Sequence, residues 1–401
     1  MKGRTTIKTL LLALSIGAIN EQVSAQWSPI AKLGVGATDG CFSFSINGNG
    51  YVGGGSNGSH FYEYDTTANT WTLKGNAPGN KIRGFAFSFV LNGHGYAGTG
   101  DTTGSDNACA DMWMYDPGTN VWTKKASFPG GVRDAGFGFA IDSFGYAGAG
   151  YDGSGAWNDF YKYDPIADTW TPLAALPFGP ILFPVTFVLN HKAYVATGQG
   201  ATAEVQSLWE YDPATNTWTQ KADFPGAARQ TGFGFALGNY GYVGGGMAGY
   251  DTMYKDMWRY DPTANSWTMD QAYPSLYPAW PCSFTVGNTA YVGTGTYFTA
   301  TSLISTDSFK RFRGPRITTG INETNAAGQI KAYPNPANDY IVLAGNVEAD
   351  AKIAIKDVTG RSIRTLSNTH NSIYVGDLQP GVYMLECINS TGIFVEKIIK
   401  R

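Results

Sequence analysis

Three arginines, Arg83, Arg133 and Arg229, each stand thirteen residues before a tyrosine that heads a run of small residues. A guanidinium is a planar fork that can grip a carboxylate through two parallel hydrogen bonds. Arginines recurring in phase are therefore candidates for holding an anionic sugar or an acidic peptide. Structural hydrogen bonds to neighbouring loops are the alternative use, and Thr38, Ile181 and Pro278 fill the equivalent position elsewhere. Tyr151, Trp157, Tyr250, Tyr254, Trp280 and Tyr297 add aromatic faces in the segments between predicted strands, with Tyr273 and Tyr277 close to Trp280. Such rings suit stacking on sugars or side chains, or packing at a rim. Asp111, Asp159, Asp256 and Asp307 also recur, and recurrence in several units points to a turn role instead of catalysis.

Reactive constellations are sparse. The four histidines, at 60, 94, 191 and 370, are far apart, and neither His-x-x-x-His nor Cys-x-x-Cys spacing occurs, so no metal or cofactor is expected. A Gly-x-Ser-x-Gly elbow and a P-loop lysine are absent as well. The Asp152-Gly-Ser-Gly segment falls short of the ligand spacing of a calcium loop. Cysteines at 41, 109, 282 and 387 permit disulfides without requiring them. Cys41 and Cys282 sit ten and nine residues before their tyrosines, a one-residue offset that can point the two side chains apart.

The elements that must carry these residues are set by a repeat. Tyr-Asp followed six residues later by Trp occurs at Asp65/Trp71, Asp116/Trp122, Asp164/Trp170, Asp212/Trp218 and Asp261/Trp267, at intervals of 51, 48, 48 and 49 residues. This is near the period of a four-stranded propeller blade. An aromatic-small-Gly run headed by Tyr51, Tyr96, Tyr146, Tyr194, Tyr242 and Tyr291 recurs in phase and counts six units. The sixth lacks its Trp, while Trp27 lies 24 residues before Tyr51, in register with the rest. An N-terminal strand is therefore predicted to complete the last blade and close the ring, removing an open sheet edge. Period-two runs such as Phe87-Ser-Phe89 read as inner strands, and Asp-Pro-x-x-Asn segments read as the turn before the outer one.

With its aromatic-Val-Gly-Gly strand, its Tyr-Asp-Pro hairpin and its Trp six residues past the Asp, the unit resembles the kelch repeat over roughly residues 26–313. The resemblance implies an all-β, six-bladed propeller whose three arginines begin inner strands near the mouth of the central channel. It leaves activity open, because such propellers serve as binding modules, sugar-processing enzymes and oxidases. No copper-ligand set of the oxidases and no Ser-x-Asp-x-Gly-x-x-Trp box of sialidases is recognisable. Kelch mutarotases acting on sialic acid supply an enzymatic alternative, in which an arginine holds the carboxylate and an acid or base moves protons. Glu204, in a loop of the fourth blade, is the catalytic candidate on that reading.

Charged residues make up 15% of the chain, and the net charge of -3 offers no electrostatic case for nucleic acid or an anionic membrane. Residues 1–25 read as a signal peptide. Lys2, Arg4 and Lys8 precede a short apolar run, and Val23-Ser24-Ala25 is a cleavage site, so no transmembrane segment is expected in the mature chain. Residues 314–328 read as a linker, and 329–401 as a small β-sandwich of short alternating strands.

That tail, through Tyr333-Pro-Asn-Pro-Ala-Asn-Asp339, Lys356-Asp-Val-Thr-Gly-Arg361 and Leu378-Gln-Pro-Gly-Val-Tyr-Met-Leu385, resembles the type A sorting domain of the type IX secretion system of Bacteroidetes. The resemblance implies export through the periplasm to the outer surface or the medium, with the secretion machinery as a partner. Two functional classes follow. One is a non-catalytic propeller binding a glycan or protein ligand, and the other is a carbohydrate-active enzyme.

Overall fold

The computed structural model describes residues 26–34, 36–56, 58–102, 108–249, 251–275, 279–298, 302–314, 331–344, 351–357, 362–367, 372–389 and 392–401. The expected signal peptide, linker residues 315–328, Tyr250 and Tyr277 lie outside them. The chain divides into two compact units, Met1–Arg316 and Ile317–Arg401.

The first unit consists of six four-stranded antiparallel sheets with a few short hairpins. Five are sequential meanders. Blade 1, for example, runs Cys41–Ile46, Asn49–Gly54, His60–Asp65 and Thr70–Asn76. The sixth combines Cys282–Val286, Thr289–Gly293 and Phe309–Arg313 with the N-terminal strand Gln26–Pro29 on its outer edge. Trp27 pairs with Phe312 in that sheet and is buried against Phe312, Tyr273 and Phe233. The ring is thus closed by the strand that the phase of Trp27 predicts.

Inner strands alternate because their two sides meet different neighbours. Phe42, Phe44, Phe87, Phe89, Phe137, Phe139, Phe233 and Phe235 are buried in the inter-blade cores. Ser43, Ser88 and Ser283 donate their hydroxyls at 2.8 Å to carbonyls of the preceding blade's inner strand. Before four of the six repeating tyrosines stands a glycine, Gly50, Gly95, Gly145 or Gly241, that makes room for the preceding blade's phenylalanine, while Ala193 and Ala290 precede the other two. A Cβ on Gly50 would lie 2.1 Å from the Phe284 ring.

At the turn to the outer strand, Asp116 accepts the N–H of Gly118 at 2.8 Å, Asn120 is left-handed at φ 59, and the Tyr115 hydroxyl donates to Asn120 Oδ1 at 2.9 Å. The same tyrosine–asparagine bond recurs for Tyr64, Tyr211 and Tyr260, and Tyr163 uses Asp168.

The second unit has a three-stranded sheet of Lys331–Tyr333, Tyr340–Ala344 and Ser372–Tyr374. A four-stranded sheet is ordered Ser362–Ser367, Lys352–Lys356, Gly381–Asn389, Gly392–Lys400. Ile341, Leu343, Ile353, Ile355, Ile373 and Leu385 form its core, while Tyr340 and Tyr374 stand exposed on the outer side. Among the described residues, no helix is long and apolar enough to cross a membrane.

Candidate functional site

The recurring arginines are used inside the blades. Arg83, Arg133 and Arg229 are 0%, 2% and 1% exposed. Arg83 donates to Asp111 at 2.9 Å, to the Thr99 carbonyl at 2.5 Å and to Cys109 Sγ at 2.9 Å. Arg133 binds Asp159 at 2.6 Å and the carbonyls of Ala149 and Gly130. Arg229 grips Asp256 with two bonds, 2.6 and 3.0 Å, and also holds Ala227 and Gly245.

Burial alone would push the Asp111 and Asp256 carboxyls up. The facing guanidinium, with the indole N–H of Trp113 or Trp258, outweighs it and holds both below the usual range. Their backbones are engaged too, since the Arg83, Arg133 and Arg229 carbonyls accept N–H bonds from Gly55, Gly100 and Gly198 of the preceding blades.

The expectation of an open arginine ring for an anionic ligand is therefore corrected. Each guanidinium is desolvated and already paired, so these residues position the loops instead of facing a ligand. A signal for this existed in the repeats: blades 2, 3 and 5 carry both the Arg and the Asp, while blades 1 and 4 lack both.

Two of the proposed stacking aromatics belong to the same clusters. The Arg133 guanidinium lies over the rings of Phe128 and Trp157, 4.9 and 5.6 Å from their centres. That of Arg229 lies over Phe224 and Tyr254, at 4.8 and 4.1 Å. Tyr151, 36% exposed, turns its hydroxyl onto the Gly153 carbonyl at 3.0 Å, and Tyr297 is half-buried in the hairpin Thr296–Phe298. Glu204 accepts the Gly249 N–H at 3.0 Å and a bond from Gln230 at 3.3 Å, and the first of these holds its carboxyl below the ordinary value. The Asp152 carboxylate caps its own turn through Ser154 and Gly155. All four cysteines are free thiols.

Among the described residues, Trp280 alone of the expected aromatics lines the axial cavity. Two residues past each arginine-equivalent position come Gly40, Phe85, Ala135, Phe183, Thr231 and Trp280, all left-handed with φ between 48 and 62. Each donates its N–H to the carbonyl of its counterpart one blade back. Phe85 bonds Gly40 (2.8 Å), Ala135 bonds Phe85 (3.1 Å), Phe183 bonds Ala135 (2.8 Å), Thr231 bonds Phe183 (3.3 Å), Trp280 bonds Thr231 (3.0 Å), and Gly40 bonds Trp280 (3.0 Å). This closed cycle surrounds the channel mouth.

Left-handed backbone is uncommon for bulky residues and is held only where surroundings over-determine it. Here the inter-blade bonds do so, and Phe85, Phe183 and Trp280 alternate with three small residues. The three rings touch one another, at centroid distances of 5.2, 6.0 and 6.3 Å. The six residues, with the one following each, line an axial cavity of about 120 Å³. Sequence reasoning missed Phe85 and Phe183, because five residue types over six equivalent positions leave no pattern to read. Their fixed offset from the arginines was the available signal.

Residues 331–401 match the family described as the secretion system C-terminal sorting domain. The solved structure of YjhT is similar with a TM-score of 0.59 and 19% identity, covering 70% of this chain and 96% of that one. No curated protein matches the chain significantly. The tail therefore directs type IX export to the cell surface or medium, and the secretion machinery is its partner. Repeat, closure and fold likeness together make the chain a kelch-like β-propeller followed by a type IX secretion sorting domain.

Proposed function

We propose that this protein is an exported, non-catalytic binding propeller that takes a glycan or protein ligand at the axial cavity. One observation carries the reading: among the described residues, the cavity lining holds no carboxylate, imidazole, amine or guanidinium. Proton transfer near neutral pH needs a group poised for it. Among the described lining residues, the one titratable group is the Cys41 thiol, which burial pushes well above its ordinary value. Glu204, held ionised by its backbone contact, is a weakened base. Left-handed phenylalanines and a tryptophan at one mouth fit a contact surface whose shape matters more than any reaction.

Glycan-array screening of the full chain, followed by NMR of anomeric exchange in any sugar bound, tests this. Binding without faster exchange is expected, and Glu204→Gln should leave binding unchanged. Exchange that accelerates in the wild type and is lost in Glu204→Gln would establish the mutarotase-like alternative instead.

A further inference from the structure

Resting on that reading, we propose that the axial cavity takes an uncharged pyranose ring at the end of a glycan, and that it rejects anionic sugars. Three observations lead there. Among the described residues, the lining carries no charged side chain, and the nearby arginines are buried and neutralised by Asp111, Asp159 and Asp256, so none of these groups is left to pair with a ligand's carboxylate.

Next to the ring residues stand acids and amides. Asp134 and Gln230 precede Ala135 and Thr231 in the chain, while Asp101 and Gln199 bridge Gly84 and Leu182, the residues before Phe85 and Phe183. Carboxylates accept bonds from hydroxyls and repel an anion, while amides both donate to and accept from hydroxyls. Finally, Phe85, Phe183 and Trp280 are in mutual contact, which gives a continuous apolar surface instead of a cage with a gap for an ammonium ion. A pyranose presents an apolar C–H face and a rim of hydroxyls, complementary to both features.

The cavity limits how much can enter. At about 120 Å³ it is tighter than the void of about 150 Å³ that holds benzene, so it admits one face or edge of a single ring and leaves the rest of the sugar at the open mouth. Two polar atoms of lining residues, Thr231 Oγ1 and Trp280 Nε1, are buried without a hydrogen-bond partner among the described residues. They come from consecutive members of the cycle, which puts unspent hydrogen-bonding capacity on one side of the site.

The test uses the full chain with its tryptophan indole N–H resonances observed by NMR, that of Trp280 being assigned by its loss in Trp280→Phe. Methyl glucoside, methyl mannoside and methyl galactoside are titrated beside glucuronate, N-acetylneuraminate and choline. At least one neutral glycoside is expected to move the Trp280 resonance. Its affinity should fall about tenfold in Phe183→Ala and should be unaffected by raising NaCl to about 0.5 M. A response to glucuronate, N-acetylneuraminate or choline alone, or a strong loss of neutral-sugar affinity with salt, would overturn the proposal while leaving the axial reading intact. So would a protein ligand that moves Trp280 when no sugar does. A ligand that binds without moving Trp280 at all would overturn both.

Discussion

Trp71 donates its indole N–H to the Ala31 carbonyl at 3.0 Å, and Ala31 returns its own N–H to Asn69 at 3.0 Å. The same reciprocal bonds join Trp170 and Asp168 to Ala126, and Trp267 and Asn265 to Ala222. Blade 1 thus treats the N-terminal segment as the end of an ordinary outer strand. Trp27→Ala should cost about 3–5 kcal/mol, and deleting residues 26–30 should cost more. Both are read from thermal unfolding, and an unchanged midpoint would show that the ring does not depend on this strand.

The Arg229–Asp256 pair makes stability pH-dependent. Its depressed carboxyl pKa means that the contribution is present above the unfolded value of about 3.9 and is lost as pH falls through the lower folded value. Asp256→Asn should cost about 3–5 kcal/mol at pH 7 by stranding a buried guanidinium. Urea unfolding should show the gap to wild type narrowing below about pH 4. Arg229→Met combined with Asp256→Leu should be less costly than Asp256→Asn alone.

Two glycines separate crowding from backbone preference. Gly153 has φ +89 with nothing within 4 Å of its would-be Cβ, so Gly153→Ala should cost about 1 kcal/mol. At Gly150, φ +95, a Cβ would meet the Asp134 carbonyl at 2.3 Å. Gly150→Ala should therefore cost several times more in the same denaturation assay. Equal losses would mean that the Asp134 segment yields freely.

Thiol chemistry should be silent in the folded protein. Burial pushes Cys109 and Cys282 up to about 12, leaving little thiolate at pH 8. A thiol reagent should label none of the four cysteines until denaturant is added, and then all four. Two cysteines that resist labelling without reductant would reveal a bridge, with Cys41 and Cys282 the pair to map.

Removing residues 329–401 should leave the propeller inside the cell, as fractionation would show. Surface delivery of the truncated chain would contradict the role of the tail.

Much of this architecture is written in repeats. The tyrosine, aspartate and tryptophan spacings revealed six blades because the aspartates cap the same turn in every repeat that carries one and Trp71, Trp170 and Trp267 make the same inter-blade bond, and Trp27 betrayed the closure by its phase alone. The site was less visible. Arg83, Arg133 and Arg229 drew attention as chemistry because a guanidinium is rarely buried, and only their co-occurrence with Asp111, Asp159 and Asp256 told of internal pairing. The axial cycle rests on backbone angles shared by Gly40, Phe85, Ala135, Phe183, Thr231 and Trp280. Side-chain identity does not encode an N–H direction, so no residue pattern announced it.

The sixth sheet draws its outermost strand from the opening residues of the wheel and its neighbour from the closing ones. A chain threaded through a pore with its amino end leading carries Trp27 unaccompanied until Phe312 has followed. The last blade then acts as a latch that cannot shut on a stalled or clipped passenger, and its open edge would mark such a chain for capture.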